Sequence, residues 1–307
     1  MNKKLLVAAN AIVALALLWL LLSSVNLSVL AETLAKINLV WLLAAAALYV
    51  LMNVLSAVRI KMLLGKFAEK IALSKLFFSH MAAMLFSDVT PGRIGYSYLV
   101  LRLRKEGLRG GRITKVTGVV LASDFFVRAL FVIASVYLFS QQFLLTGVIL
   151  AVFSLGFLAL FFKRIAWFEK LLAKIPSVGR KSAEAYAMVF EHAVSKRDLL
   201  TAGGISIAGS LLRGLAWFFI MLAMGGTGNP VDFAVLCALL TSVSFIPISI
   251  AGLGVQEGVG AWLFSLVLGI GLAQATAFML LVRVVEAGSD LVFGGFDLLK
   301  TGVKAEV

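Results

Sequence analysis

Ser244-Phe245-Ile246-Pro247-Ile248-Ser249-Ile250-Ala251-Gly252-Leu253-Gly254-Val255-Gln256-Glu257-Gly258 sits between two apolar runs, residues 233–245 and 259–272. Each run is short for a membrane span, which takes about 20 residues. Pro247 removes a backbone donor, and Gly252, Gly254 and Gly258 loosen the chain, so the stretch predicts a broken helix. Non-helical backbone survives at membrane depth only where protein buries it or where it lines a wet cavity. With the carboxylate of Glu257 at its edge, the stretch reads as a broken, re-entrant hairpin lining a site.

The rest of the chain supplies the membrane setting. Of 307 residues, 62% are hydrophobic, and the mean hydropathy is +1.04. That composition belongs to the polytopic membrane class. The lone Cys237 falls inside an apolar run, so neither a disulfide framework nor a thiol metal site is expected. Two histidines, His80 and His192, are too few and too far apart for a metal centre, and no metal or other cofactor is implied. A net charge of +13 raises the question of nucleic acid. Its distribution over loops argues instead for membrane orientation and anionic lipid headgroups as partners, with no nucleic acid.

Asn2-Lys3-Lys4 precedes the apolar residues 5–22. A cleaved signal peptide is the rival reading, but the run is long for one and Ser23-Ser24-Val25-Asn26 is a weak cleavage site. A retained first span is expected. A short polar loop with Glu32 and Lys36 leads to a second span, 37–58, and then to the basic segment 59–75. Residues 76–89 are apolar but short and end in Thr90-Pro91-Gly92-Arg93-Ile94-Gly95. After the basic segment 99–115 come spans 116–139, with Asp124 and Arg128 four residues apart on one face, and 143–162. Segment 163–198 is an amphipathic, basic, surface-lying linker broken at Pro176. Span 199–222 contains Arg213, the turn 225–230 follows, and residues 273–299 carry Arg283, Glu286 and Asp290 on one helical face.

Basic residues set the topology. Of 28, 24 fall in five clusters, and placing all five in the cytoplasm obeys the positive-inside rule. That requires the segment 76–89 to dip in and return, and 233–272 to enter and leave from the outer side or to cross twice. The expected fold is an all-α polytopic membrane protein of about six full spans plus two re-entrant helical hairpins. These eight hydrophobic segments form a single transmembrane domain over 1–307, with halves 1–162 and 199–299. The expected location is the cell membrane, with both termini cytoplasmic. In each half a proline and glycine break is followed by a charged span, which suggests an inverted repeat with its site near the bilayer midplane.

Pro91-Gly92-Arg93-Ile94-Gly95, the basic stretch 99–107, and Ile250-Ala251-Gly252-Leu253-Gly254-Val255-Gln256-Glu257 resemble the flippase-like membrane region of the lysylphosphatidylglycerol synthases. The same region occurs alone in many bacterial and archaeal proteins and beside some dolichol-phosphate glycosyltransferases. The likeness runs from the second span to Leu299. The chain departs from it at Tyr96, where Glu is usual, at Gln256, where Arg is usual, and near Ala122-Ser123, where Glu-Arg is usual. These departures bear on headgroup preference more than on fold. The resemblance implies a membrane lipid as substrate and a separate glycosyltransferase or synthase as a partner. No aminoacyl transferase domain follows Val307, so lysyl transfer is not expected.

Several charges have two readings. Arg93 is either a headgroup ligand or a cytoplasmic anchor. Glu257 either receives a cation, a proton or an arginine, or only fixes its hairpin. Asp124 with Arg128, and Arg283 with Glu286 and Asp290, are structural ion pairs or a headgroup path. Arg213, near Trp217, reads as structural, and His80 as a packing residue or a proton relay. The expected site comprises Arg93, Asp124, Arg128, Gly252, Gly254, Glu257, Arg283 and Glu286. The expected function is translocation of an anionic phospholipid or polyprenyl-phosphate-linked lipid, without enzyme chemistry. Secondary transport of a small soluble anion is the alternative. No P-loop occurs, so movement is passive or coupled to an ion gradient or the membrane potential.

Overall fold

The computed structural model describes residues 27–88, 90, 95–138, 166–174, 195–243 and 253–301, with 19, 23 and 152. The first and fourth expected spans, the second helical stretch of the linker, and the breaks at 91–94 and 244–252 lie outside the described residues. Ten helices and no strands occur among the described residues. They are α1 (Leu27–Ala35), α2 (Leu39–Gly65), α3 (Leu73–Asp88), α4 (Gly95–Lys105), α5 (Gly110–Leu138), α6 (Ala166–Ala173), α7 (Lys196–Ala223), α8 (Pro230–Val243), α9 (Val255–Leu268) and α10 (Leu272–Thr301).

Among the described residues three helices, α2, α5 and α7, are long and apolar enough to cross a membrane. Asn38 caps α2 by accepting from the Val40 amide at 3.0 Å, and Ser195 caps α7 by accepting from the Asp198 amide at 3.2 Å. Near its start α2 points large apolar side chains outward, with Leu39, Val40 and Leu43 66–74% exposed, while further along Tyr49, Asn53 and Arg59 are buried. Apolar outside and polar inside is the pattern of a helix that faces lipid on one side and a polar interior on the other. The protein is an all-α polytopic membrane protein.

The described arms of the two expected hairpins are short. At 1.5 Å per residue the 16 residues of α3 rise about 24 Å, and α8 and α9 about 21 Å each, below the roughly 30 Å hydrocarbon core. The second break is narrower than the glycines suggested. Helix resumes at Val255, because Gly254 takes φ +82° and the Glu257 carboxylate accepts its amide at 2.7 Å, closing the first turn of α9. The stretch before α2, expected as a polar loop, is the helix α1, whose Leu30 is buried.

Both hairpins pack on α10. Gly294 lets α10 approach α3 so closely that a Cβ there would lie 2.6 Å from the Met81 carbonyl oxygen. Two large apolar clusters result, with a small one of Tyr49, Met52 and Met81 besides. One gathers Trp217, Phe233, Phe264 and Phe278, with ring centroids 4.6–6.0 Å apart, from α7 to α10. The other gathers Ile60, Leu76, Leu99 and Ile113 from α2 to α5. In each long helix a polar stretch separates residues of the two clusters. Tyr49 and Asn53 lie between Ala45 and Ala57, Asp124 and Arg128 between Val120 and Val132, and Ser206 and Arg213 between Ala202 and Ala216. The helices therefore place a polar layer at mid-height, between two greasy ends.

Candidate functional site

That layer encloses a cavity of about 100 Å³, lined from α2, α3, α4, α5, α7, α8 and α10. A water needs some 10–15 Å³ measured this way, so the space holds several waters or one small anionic group. Three arginines, Arg59, Arg128 and Arg213, and four carboxylates, Asp88, Asp124, Glu286 and Asp290, line it.

The strongest contact joins α2 to α5. Arg59, 2% exposed, donates from Nη1 to Asp124 Oδ1 at 2.6 Å and from Nη2 to Oδ2 at 3.1 Å. Ser206 of α7 accepts from Arg59 and donates to Asp124 Oδ1 at 2.8 Å. Parallel N–H bonds from a planar guanidinium fix both distance and orientation. The expected partner of Asp124 was Arg128, one turn along the same helix. Arg59 holds Asp124 with two parallel bonds, while Arg128 acts on the same carboxylate by its charge. Arg128 lines the same cavity, its guanidinium carbon 5.5 Å from the Phe125 ring centroid.

The charged face of α10 is likewise shared out rather than self-paired. Arg283 donates from Nε to Glu257 Oε1 at 2.7 Å, tying α10 to α9. Since Glu257 also closes the first turn of α9 at Gly254, one buried carboxylate orients both the hairpin and the arginine. Glu286 accepts from Trp217 Nε1 at 3.0 Å and lies 3.4 Å from Arg213 Nε. Arg213 sits 5.5 Å from the Tyr49 ring centroid, so it belongs to the cavity rather than to packing alone. Asp290 accepts from the Tyr49 hydroxyl.

Of the expected residues, Asp124, Arg128 and Glu286 meet in the cavity, and Gly254, Glu257 and Arg283 form an adjacent cluster. Arg93 and Gly252 lie outside the described residues. Sequence reasoning missed Tyr49, Asn53 and Arg59 as cavity residues, and left Asp290 on the charged face of α10 without placing it in the site. Arg59 read as the first residue of a basic cytoplasmic loop, but α2 runs on to Gly65 and buries it. The available signal was Tyr49 and Asn53, spaced i,i+4 in an otherwise apolar run.

Two buried donors have unspent capacity. Arg59 Nε and Arg213 Nε have no hydrogen-bond acceptor among the described residues. Buried N–H groups of this kind are ordinarily satisfied, and an oxyanion in the cavity would do so. Among the described residues no group of three or more His, Cys, Asp or Glu side chains is arranged to hold a metal ion.

The family model described as the lysylphosphatidylglycerol synthase TM region matches residues 6–294. Comparison with curated proteins finds no match.

Proposed function

The chain belongs to the family of the lysylphosphatidylglycerol synthase TM region, and from that premise we propose that it moves an anionic lipid headgroup between leaflets. The observation that supports this is the convergence of Arg59, Arg128 and Arg213, from three different helices, on one mid-height cavity. An isolated charge at the bilayer centre costs several kcal/mol, so a paired polar layer at that depth lowers the barrier to a crossing headgroup. Arginine suits the task because its planar fork binds phosphate and carboxylate alike, allowing partners to be exchanged rather than lost. Acyl chains would remain outside, against the exposed apolar faces of the helices. The substrate is a phospholipid or a polyprenyl-phosphate-linked lipid, with the protein in the cell membrane and both termini cytoplasmic. Arg93, five positions after the end of α3 in the sequence, would be the entry ligand. The reading assigns the chain no chemical step, and a separate glycosyltransferase or synthase would supply or use the lipid.

The same cavity is small enough for a soluble anion, which is the second reading. Reconstitution separates the two. Full-length protein in phosphatidylcholine vesicles should speed dithionite quenching of NBD-labelled phosphatidylglycerol over protein-free vesicles. Arg213→Gln should slow it by roughly tenfold to a hundredfold, the worth of a charged hydrogen bond of about 1.5–3 kcal/mol. Stimulated uptake of inorganic phosphate or sulfate with no lipid movement would refute translocation and leave the second reading.

A further inference from the structure

Asp88, the last residue of α3, and Asp290, in the middle of α10, line the same cavity and interact through their carboxyl groups. Two ionised carboxylates repel and offer only acceptors, so side by side in a buried site they favour binding of a shared proton. Tyr49 orients the pair by donating to both Asp290 oxygens, at 3.1 and 3.0 Å. Asp290 is only 2% exposed, yet it lines the cavity. A second, independent feature lies on the same cavity wall. His80 is 1% exposed and meets Asn53 Oδ1 through Nε2 at 3.2 Å, while its Nδ1 has no hydrogen-bond partner among the described residues. A polar atom buried that deeply takes its partner from whatever fills the cavity.

The charges around the pair are distributed as follows. On α10 itself, Glu286 is one turn away, paired with Arg213 of α7, and Arg283 is held by Glu257 of α9. From α2 come Tyr49 and Arg59, the latter bound to Asp124 of α5, and from α3 comes His80. Tyr96 of α4, Arg128 of α5 and Cys237 of α8 complete the titratable lining. Glu32 of α1, which also packs on α10, is exposed. The cavity thus sets three arginines against four carboxylates. One shared proton balances them, and a second leaves one positive charge in excess.

We propose that Asp88 and Asp290 form a proton-binding site whose second proton enters together with the anionic headgroup, so that one proton and one lipid phosphate cross as a pair. This rests on the translocation reading. A phosphodiester brings one negative charge and the proton one positive, so the loaded cavity stays balanced and no net charge crosses the bilayer. By linkage, each ligand strengthens binding of the other by the same factor.

The test uses full-length protein in phosphatidylcholine vesicles with a trace of acyl-NBD phosphatidylglycerol and a step of one pH unit across the bilayer. One proton per lipid shifts the leaflet ratio toward the alkaline side by up to about tenfold, after subtraction of movement in protein-free vesicles. Asp290→Asn and Asp88→Asn each mimic the singly protonated pair, since the new amide donates to the remaining carboxylate, which can still take the second proton, so the shift should persist in each. Asp88→Asn combined with Asp290→Asn leaves nothing to titrate, and the shift should fall to about onefold. Infrared difference spectra of the same proteins, with no NBD lipid present, should show a protonated carboxyl band at neutral pH that either substitution removes. Lipid that crosses but ignores the pH step would overturn the coupling and leave translocation standing. If no lipid crosses in any sample, translocation fails, and the infrared band alone decides on the proton site. Absence of that band, or its persistence in both single variants, overturns the site.

Discussion

Replacing Arg59 with methionine removes a buried charge while keeping much of the side chain's bulk. Asp124 then loses both guanidinium bonds, at 2.6 and 3.1 Å, and keeps only the Ser206 hydroxyl. Stripping one partner from a buried ion pair costs about 3–5 kcal/mol, mostly because the remaining charge is left uncompensated. Asp124→Leu should cost a similar amount, for it strands Arg59 at 2% exposure. The double variant strands neither, and apolar replacement of a buried pair is often neutral. Unfolding in detergent, followed by tryptophan fluorescence, should therefore show a large cost in each single variant and recovery of most of it in the pair. Translocation should behave differently: the double variant lacks an arginine of the cavity and should remain slow although stable. Single variants costing under about 1 kcal/mol would refute the buried pair. A stable double variant with full transport rate would remove Arg59 and Asp124 from the path and leave them as structural.

Gly294→Ala places a Cβ 2.6 Å from a backbone carbonyl that cannot swing away, so it should destabilise by about 1–3 kcal/mol in the same unfolding assay. Glu106, in the turn after α4, is held below the usual carboxylate range chiefly by the hydrogen bond from Lys75, with Arg102 adding to it. A depressed folded value means stabilisation that is complete above the unfolded value of about 4.3 and is lost as pH falls through it. Wild type should then lose more thermal stability on acidification below that value than Glu106→Gln does. For orientation, a cysteine at Lys105 should resist impermeant thiol reagents in intact cells and one at Gly228 should label, both positions being exposed. Labelling at Lys105 from outside would overturn the cytoplasmic placement of the first hairpin.

The ends of the short arms were legible because proline and glycine act locally: α3 and α8 stop a few positions before Pro91 and Pro247 in the sequence, and α9 starts just after Gly254. The pairing of charges was not. Helical spacing shows which residues share a face, as with Asp124 and Arg128 or Arg283 and Glu286, but not which neighbour that face meets. In the structure a side chain from another helix wins each time: Arg59 takes Asp124, Glu257 takes Arg283 and Arg213 takes Glu286. An intrahelical pair has to bend two long side chains along one surface, whereas a facing helix presents its charge head-on. Arg59 was hidden for a further reason. Positive residues at the end of an apolar run look the same whether they anchor a loop or turn inward, and only the course of α2 to Gly65 separates the two.

The charged positions of α10 account for how two separately broken hairpins share one site. Arg283, Glu286, Asp290 and Asp297 recur at steps of three, four and seven, which keeps them on one helical face. Each meets a different element. Arg283 binds Glu257 of α9, Glu286 meets Arg213 of α7, and Asp290 meets Tyr49 of α2 and Asp88 of α3. Asp297 accepts two bonds from Arg102 of α4, at 3.0 and 3.3 Å. The second hairpin is thus tied near one end of the row and the first near the other, with the carboxylate pair between them. Any tilt of one hairpin against the other must lengthen contacts at one end of α10 before the other. Asp290, placed at the middle of the row, is where a change of a single charge acts on both.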